Sequence, residues 1–149
     1  MSDDELKDNI LTICGEDIDN FDKQLEKIPE TTIKLILISS NFNQELTNLS
    51  LNLEHLEIIC KLYNQPLDYL PPKLKTLIIV SHHYDQPLDN LPNSLETLII
   101  KSRYCKFQQP LKCLPHNLKT LLLYTYYSKN DKTELKLQYP QTKITFINW

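Results

Sequence analysis

Short apolar words alternate along this chain with polar stretches that carry proline, and both recur at a fixed interval. The clearest words are Leu74-x-x-Leu77-Ile78-Ile79 and Leu95-x-x-Leu98-Ile99-Ile100. Each follows nearly the same phrase, Tyr63-Asn64-Gln65-Pro66-Leu67-Asp68-Tyr69-Leu70-Pro71 and Tyr84-Asp85-Gln86-Pro87-Leu88-Asp89-Asn90-Leu91-Pro92. The aromatic that opens the phrase falls at Phe21, Phe42, Tyr63, Tyr84 and Phe107, spaced 21, 21, 21 and 23 residues. The leucine inside it falls at Leu25, Leu46, Leu67, Leu88 and Leu111, followed by Ile28, Leu49, Leu70, Leu91 and Leu114. Next come Pro29, Ser50, Pro71, Pro92 and Pro115. The apolar words then read Thr32/Leu35/Leu37, Leu53/Leu56/Ile58, Leu74/Leu77/Ile79, Leu95/Leu98/Ile100 and Leu118/Leu121/Leu123. A unit this short cannot bury an apolar face alone, so the period predicts a solenoid of stacked turns around one continuous core.

The Leu-Pro-x-x-Leu spacing is compatible with a helix that has proline at its first position. Three features favour a strand instead. The words end in β-branched runs such as Ile78-Ile79-Val80, which suit a pleated surface. The recurring pair exemplified by Pro66 and Pro71 breaks any long helix. Helical repeats also need about 33 residues or more, whereas leucine-rich repeats run from about 20 to 29. The expected fold is mainly β, a leucine-rich-repeat-like solenoid with one short parallel strand per turn, five regular turns and atypical caps. Strands are predicted at residues 33–38, 53–59, 74–80, 95–100 and 118–124. Residues 1–20 form an N-terminal cap, 21–123 the repeats, and 124–149 an irregular insertion and C-terminal cap. The first cap reads as a short helix or an edge strand around Leu6, Ile10, Leu11, Ile13 and Ile18. In the last, Tyr139-Pro140 echoes the Leu-Pro step, residues 144–147 read as a final strand, and Trp149 is placed over the end of the core.

Stacking brings equivalent positions of neighbouring turns to about 4.8 Å. Along one such row the charges read Lys34, Glu54, Lys75, Glu96, Lys119, alternating in sign. The following row reads Leu35, His55, Thr76, Thr97 and Thr120. Cross-strand pairs of these kinds are mutually stabilising. A second set of rows lies in the phrase, with Asp22, Asn43, Asn64, Asp85 and Gln108, then Gln44, Gln65, Gln86 and Gln109. A return path outside a regular sheet leaves backbone groups unpaired, and stacked amides and carboxylates supply partners. These polar rows are therefore read as scaffold. Two further rows, Ile36, Glu57, Ile78, Ile99, Leu122 and Ile38, Ile59, Val80, Lys101, Tyr124, are expected on the outer, concave side of the sheet. There they make an apolar stripe rimmed by Lys and Glu, and exposed apolar patches mark interaction surfaces.

Composition narrows the function. At 149 residues and net charge −3 the chain is one domain with no electrostatic footprint for nucleic acid or membrane. The acidic start, Met1-Ser2-Asp3-Asp4-Glu5, argues against a signal peptide, and a cytoplasmic location is expected. Gly15 is the one glycine, so no phosphate-binding glycine loop exists. The cysteines Cys14, Cys60, Cys105 and Cys113 have no C-x-x-C spacing. Cys60 shares a small-residue slot with Ser39, Ser81, Ser102 and Thr125, while Cys105 and Cys113 flank an over-long turn and are taken as free thiols. The neighbouring His82 and His83 point to opposite faces of a strand, which opposes a shared metal. Asn48-Leu49-Ser50 fits a glycosylation acceptor, but Leu49 belongs to the core rows. No enzyme activity, metal or cofactor is expected.

The string Phe/Tyr-Asn/Asp-Gln-Pro-Leu-x-x-Leu-Pro-x-x-Leu-x-x-Leu-x-Ile, running from Phe21 to Leu123, resembles the FNIP repeat, a leucine-rich-repeat relative abundant in social amoebae and in giant viruses of amoebae. The two central turns match best. Lys23-Gln24 replaces Gln-Pro in the first turn, and Glu45 and Ser50 replace both prolines in the second. The resemblance implies an interaction repeat, sometimes carried behind an F-box that recruits a ubiquitin ligase. An F-box is longer than the segment before Phe21, so such a role is expected only with an F-box protein in trans, the chain then serving as a substrate-recognition subunit. The main expectation is a monomeric, non-catalytic module that binds a protein partner across the sheet through Lys75, Ile78, Glu96, Ile99, Lys119 and Leu122.

Overall fold

The computed structural model describes residues 5–7, 9–14, 25–102, 107–124 and 128–147. Eight strands and one helix follow in chain order: β1 (Glu5–Lys7), β2 (Ile10–Cys14), β3 (Lys34–Ser39), β4 (His55–Cys60), β5 (Thr76–Ser81), β6 (Thr97–Ser102), β7 (Thr120–Tyr124), α1 (Lys129–Gln138) and β8 (Lys143–Ile147). They form one sheet in sequence order. β1 and β2 are antiparallel, and β2 to β8 all run parallel. The chain is a solenoid of about six turns.

Each turn is closed in the same way. The N–H of Thr32, Leu53, Leu74, Leu95 and Leu118 donates to the carbonyl of Pro29, Ser50, Pro71, Pro92 and Pro115 respectively, at 2.9–3.1 Å. Because these residues are held in the turn, the strands begin one or two positions later than the apolar pattern predicts. Where Ser50 replaces proline, its hydroxyl donates to the Glu30 carbonyl at 3.3 Å and accepts from the Asn52 N–H at 3.1 Å.

Alternate strand residues are buried. Leu35, Leu56, Leu77, Leu98 and Leu121 make one inward row and Leu37, Ile58, Ile79, Ile100 and Leu123 the next. Opposite them Phe42, Tyr63, Tyr84 and Phe107 stack in a column, ring centroids 6.0–6.3 Å apart and planes within 5°. The core is therefore a sheet face packed against an aromatic spine.

The register corrects one row. Lys34 pairs with His55, and Leu35 with Leu56, so Lys34 lies in the His/Thr row and not beside Glu54. Ile33, 40 % exposed, takes that place, and its carbonyl accepts from the N–H groups of both Glu54 and His55. Leu35 is wholly buried and does not belong to the polar row.

The caps differ from the repeats. The first is a strand pair, not a helix. Asn9 between its strands takes a left-handed φ of 64°, which asparagine tolerates well. At the other end α1 replaces the extended phrase. Ser128 caps it, accepting from the Asp131 N–H, while the Asp131 carboxylate accepts from the Ser128 N–H. Tyr139 occupies the proline slot of the last turn: its carbonyl accepts from Thr142, so Tyr139 rather than Pro140 is the structural equivalent. Its hydroxyl donates to Lys112 O at 2.7 Å and accepts from Leu114 N at 3.1 Å. Lys132 and Lys136 place their ammonium groups 5.3 and 5.9 Å from the Phe146 ring centre. Expectations for residues 1–4, Ile18, Phe21, Asp22, Cys105, Thr125 and Trp149 lie outside the described residues.

Candidate functional site

Parallel pairing in strict register carries each sequence position into a row across the sheet. The outward rows are Ile36–Glu57–Ile78–Ile99–Leu122 and Ile38–Ile59–Val80–Lys101–Tyr124, each residue paired with the next. All are half-buried. They face away from the core because the intervening residues are the buried ones, and a side-chain period of two allows no other arrangement.

Beside this stripe runs the charge row. The Lys75 ammonium donates to Glu54 Oε2 and the Lys119 ammonium to Glu96 Oε2, both at 2.8 Å. The hydrogen bond from Lys75, and then the Glu54 charge, raise the Lys75 pKa. The charges thus neutralise one another in pairs, as expected of exposed ladders, and such pairs add little stability. The six residues expected to bind a partner lie close together on three adjacent strands and the turn residues before them. Ile78, Ile99 and Leu122 are successive members of one row, with Lys75, Glu96 and Lys119 along its edge.

His55 and Glu57 lie two residues apart on the same face of β4, with Nε2 and Oε2 3.7 Å apart. Burial and the neighbouring Lys34 lower the His55 pKa, outweighing the opposing pull of Glu57. The folded state resists a proton that the unfolded chain accepts at about pH 6.5. Stability therefore falls as pH drops below that value and levels off below the folded pKa, because unfolding takes up the proton. His55→Gln is expected to be less pH-sensitive than the wild type between about pH 7.5 and 5. Urea melts at both values check this, and equal losses for the two proteins would exclude His55 as the cause.

The polar rows of the phrase are consumed in the scaffold. Asn43 Oδ1 accepts from Asn64 N at 2.8 Å, Asn64 Oδ1 from Asp85 N at 2.9 Å, and Asp85 Oδ1 from Gln108 N at 3.0 Å. The Gln65 and Gln109 amides donate to the carbonyls of Asn43 and Asp85 at 2.8 and 3.1 Å. Each turn thus borrows an acceptor from the one before.

The remaining chemistry-bearing residues are dispersed. Among the described residues no three His, Cys, Asp or Glu side chains come together as a metal site. Cys60 is wholly buried, its thiol 3.7 Å from Leu37 O, and burial pushes its pKa up to about 12, the signature of an inert structural thiol. Cys14 and Cys113 are free and exposed. The Asn48 amide donates to Leu25 O. No helix among the described residues is long and apolar enough to cross a membrane. Two open clefts, of about 500 and 720 Å³, flank the C-terminal cap and are lined by return-path residues such as Lys112 and Gln138. Tyr69 and Leu51, on the return path, are 68 % and 62 % exposed. They were outside every pattern the sequence offered, because neither belongs to a row that repeats.

The family model described as FNIP Repeat matches residues 63–102. That stretch carries FNIP repeats. The matched stretch contains β5 and β6 with the phrases that precede them, the most regular part of the solenoid. No curated protein and no solved structure matches the chain.

Proposed function

We propose that this FNIP-repeat protein is a non-catalytic protein-interaction module whose open sheet face is the binding surface. The observation that supports this reading is the row Ile78–Ile99–Leu122, in register beside Val80 and half-buried on the side opposite the core. Monomeric proteins seldom keep a contiguous apolar stripe for no purpose. The stripe also varies from turn to turn in bulk and charge, through Glu57, Lys101 and Tyr124, as recognition requires. The phrase rows repeat nearly unchanged and are spent on backbone partners, so they offer little to tell one ligand from another.

Partners are best identified by proximity labelling in the native host cell. Binding of an identified partner to Ile78→Lys/Ile99→Lys is then expected to be lost, with circular dichroism and melting unchanged, since neither side chain is core. An unchanged fold with binding intact would place the site elsewhere, the segment 124–132 being the next surface to test. Ubiquitin-ligase subunits among the labelled proteins would make the chain a substrate-recognition subunit, and a binary partner alone would leave it a plain module.

A further inference from the structure

We propose that a second copy of this chain covers the open sheet face, packed face to face about a two-fold axis over β5. The inference rests on the reading of that face as an interface and names its occupant.

The two apolar rows contain two charged residues, of opposite sign: Glu57 in the row of Ile78 and Ile99, and Lys101 in the row of Val80 and Tyr124. The register sets them on opposite sides of β5, Glu57 one strand before Ile78 and Lys101 one strand after Val80. With strands about 4.8 Å apart and alternate residues about 6.7 Å along a strand, their Cα atoms are about 12 Å apart. A two-fold axis lying in the interface and crossing β5 midway between Ile78 and Val80 sets Glu57 of each copy against Lys101 of the other, twice. The apolar residues between them, Ile59, Ile78, Val80 and Ile99, meet the same four of the second copy. An isologous interface requires such a self-complementary surface.

The contacts within one chain leave both charges available. Glu57 is 3.7 Å from His55 Nε2, beyond a good hydrogen bond. The Lys101 ammonium lies over the Tyr124 ring, 5.4 Å from its centre, with its N–H donors still able to reach a carboxylate. A charge set in an apolar stripe is costly to cover unless the covering surface pairs it. A second copy supplies that pair for both residues at once.

Sedimentation equilibrium of the purified protein tests this. The wild type is expected to dimerise. Glu57→Lys and Lys101→Glu, each placing like charges together twice, are expected to weaken the dimer by about 100-fold or more. An equimolar mixture of the two variants restores both opposite-charge pairs and is expected to form a heterodimer about as tight as the wild type. Circular dichroism checks the fold, and Glu57→Gln with Lys101→Gln replaces either reversal that does not fold, with weaker dimerisation expected of each. A monomeric wild type, a dimer indifferent to these changes, or a mixture that stays monomeric would overturn the proposal. A monomeric wild type whose separate partner is still lost in Ile78→Lys/Ile99→Lys would overturn the second copy alone. If that double variant alters neither dimer nor partner, the whole face is excluded.

Discussion

Leu77→Ala or Leu98→Ala is expected to cost about 2–5 kcal/mol, the range of buried leucine truncations that leave a cavity. Both side chains are wholly buried, and they are consecutive members of the inward row, Leu56–Leu77–Leu98–Leu121. A solenoid has little means of closing such a hole, because each turn is held in register by its neighbours on both sides. Lys75→Ala, two residues from Leu77 and exposed in its pairing with Glu54, is expected to leave the denaturant midpoint nearly unchanged. Urea melts of the three variants distinguish the faces. Comparable losses at Leu77 and Lys75 would mean that the inward and outward rows are exchanged.

Tyr63→Ala is expected to cost about 3–5 kcal/mol, as for other large aromatic truncations, whereas Tyr63→Phe should be neutral or slightly stabilising. Tyr63 is wholly buried between Phe42 and Tyr84, so truncation removes the middle of the aromatic spine and exposes both neighbours to a void. Its hydroxyl, like that of Tyr84, is buried without a hydrogen-bond partner among the described residues. Burial raises the pKa of both phenols, so they stay neutral. Removing a buried polar atom that has no partner relieves a desolvation cost. The column already holds phenylalanine at positions 42 and 107, so the ring alone suits the slot. Thermal melts check both substitutions, and a Tyr63→Phe loss as large as that of Tyr63→Ala would show that the hydroxyl is engaged.

The first turn shows where pattern reading reached its limit. Alternating charge places Lys34 beside Glu54, yet burial of Leu35 against Leu56 sets the register and moves Lys34 by one position. A one-residue slip would turn every apolar residue of the strand to the wrong face, a far larger penalty than the loss of one exposed ion pair. The C-terminal helix was missed for a related reason. Its capping signal, Ser128 with Asp131, stands in the sequence. The segment, however, buries little apolar surface beyond Leu135 and leaves Leu137 76 % exposed, so its periodicity is weak.

By itself the sequence determined the solenoid, its parallel strands, the inward leucine rows and the scaffold role of the Asn and Gln rows. Each of these follows from a period of 21 residues combined with a period of two, and a stacked unit that repeats reports its neighbours in its own spacing. Only the tertiary structure decided the register of the first turn, the exchange of the last extended phrase for α1, and the use of Tyr139 where the repeats use proline. These features join residues whose positions do not repeat, so no spacing along the chain records them. They are settled by which side chains must share a buried surface once the turns are stacked.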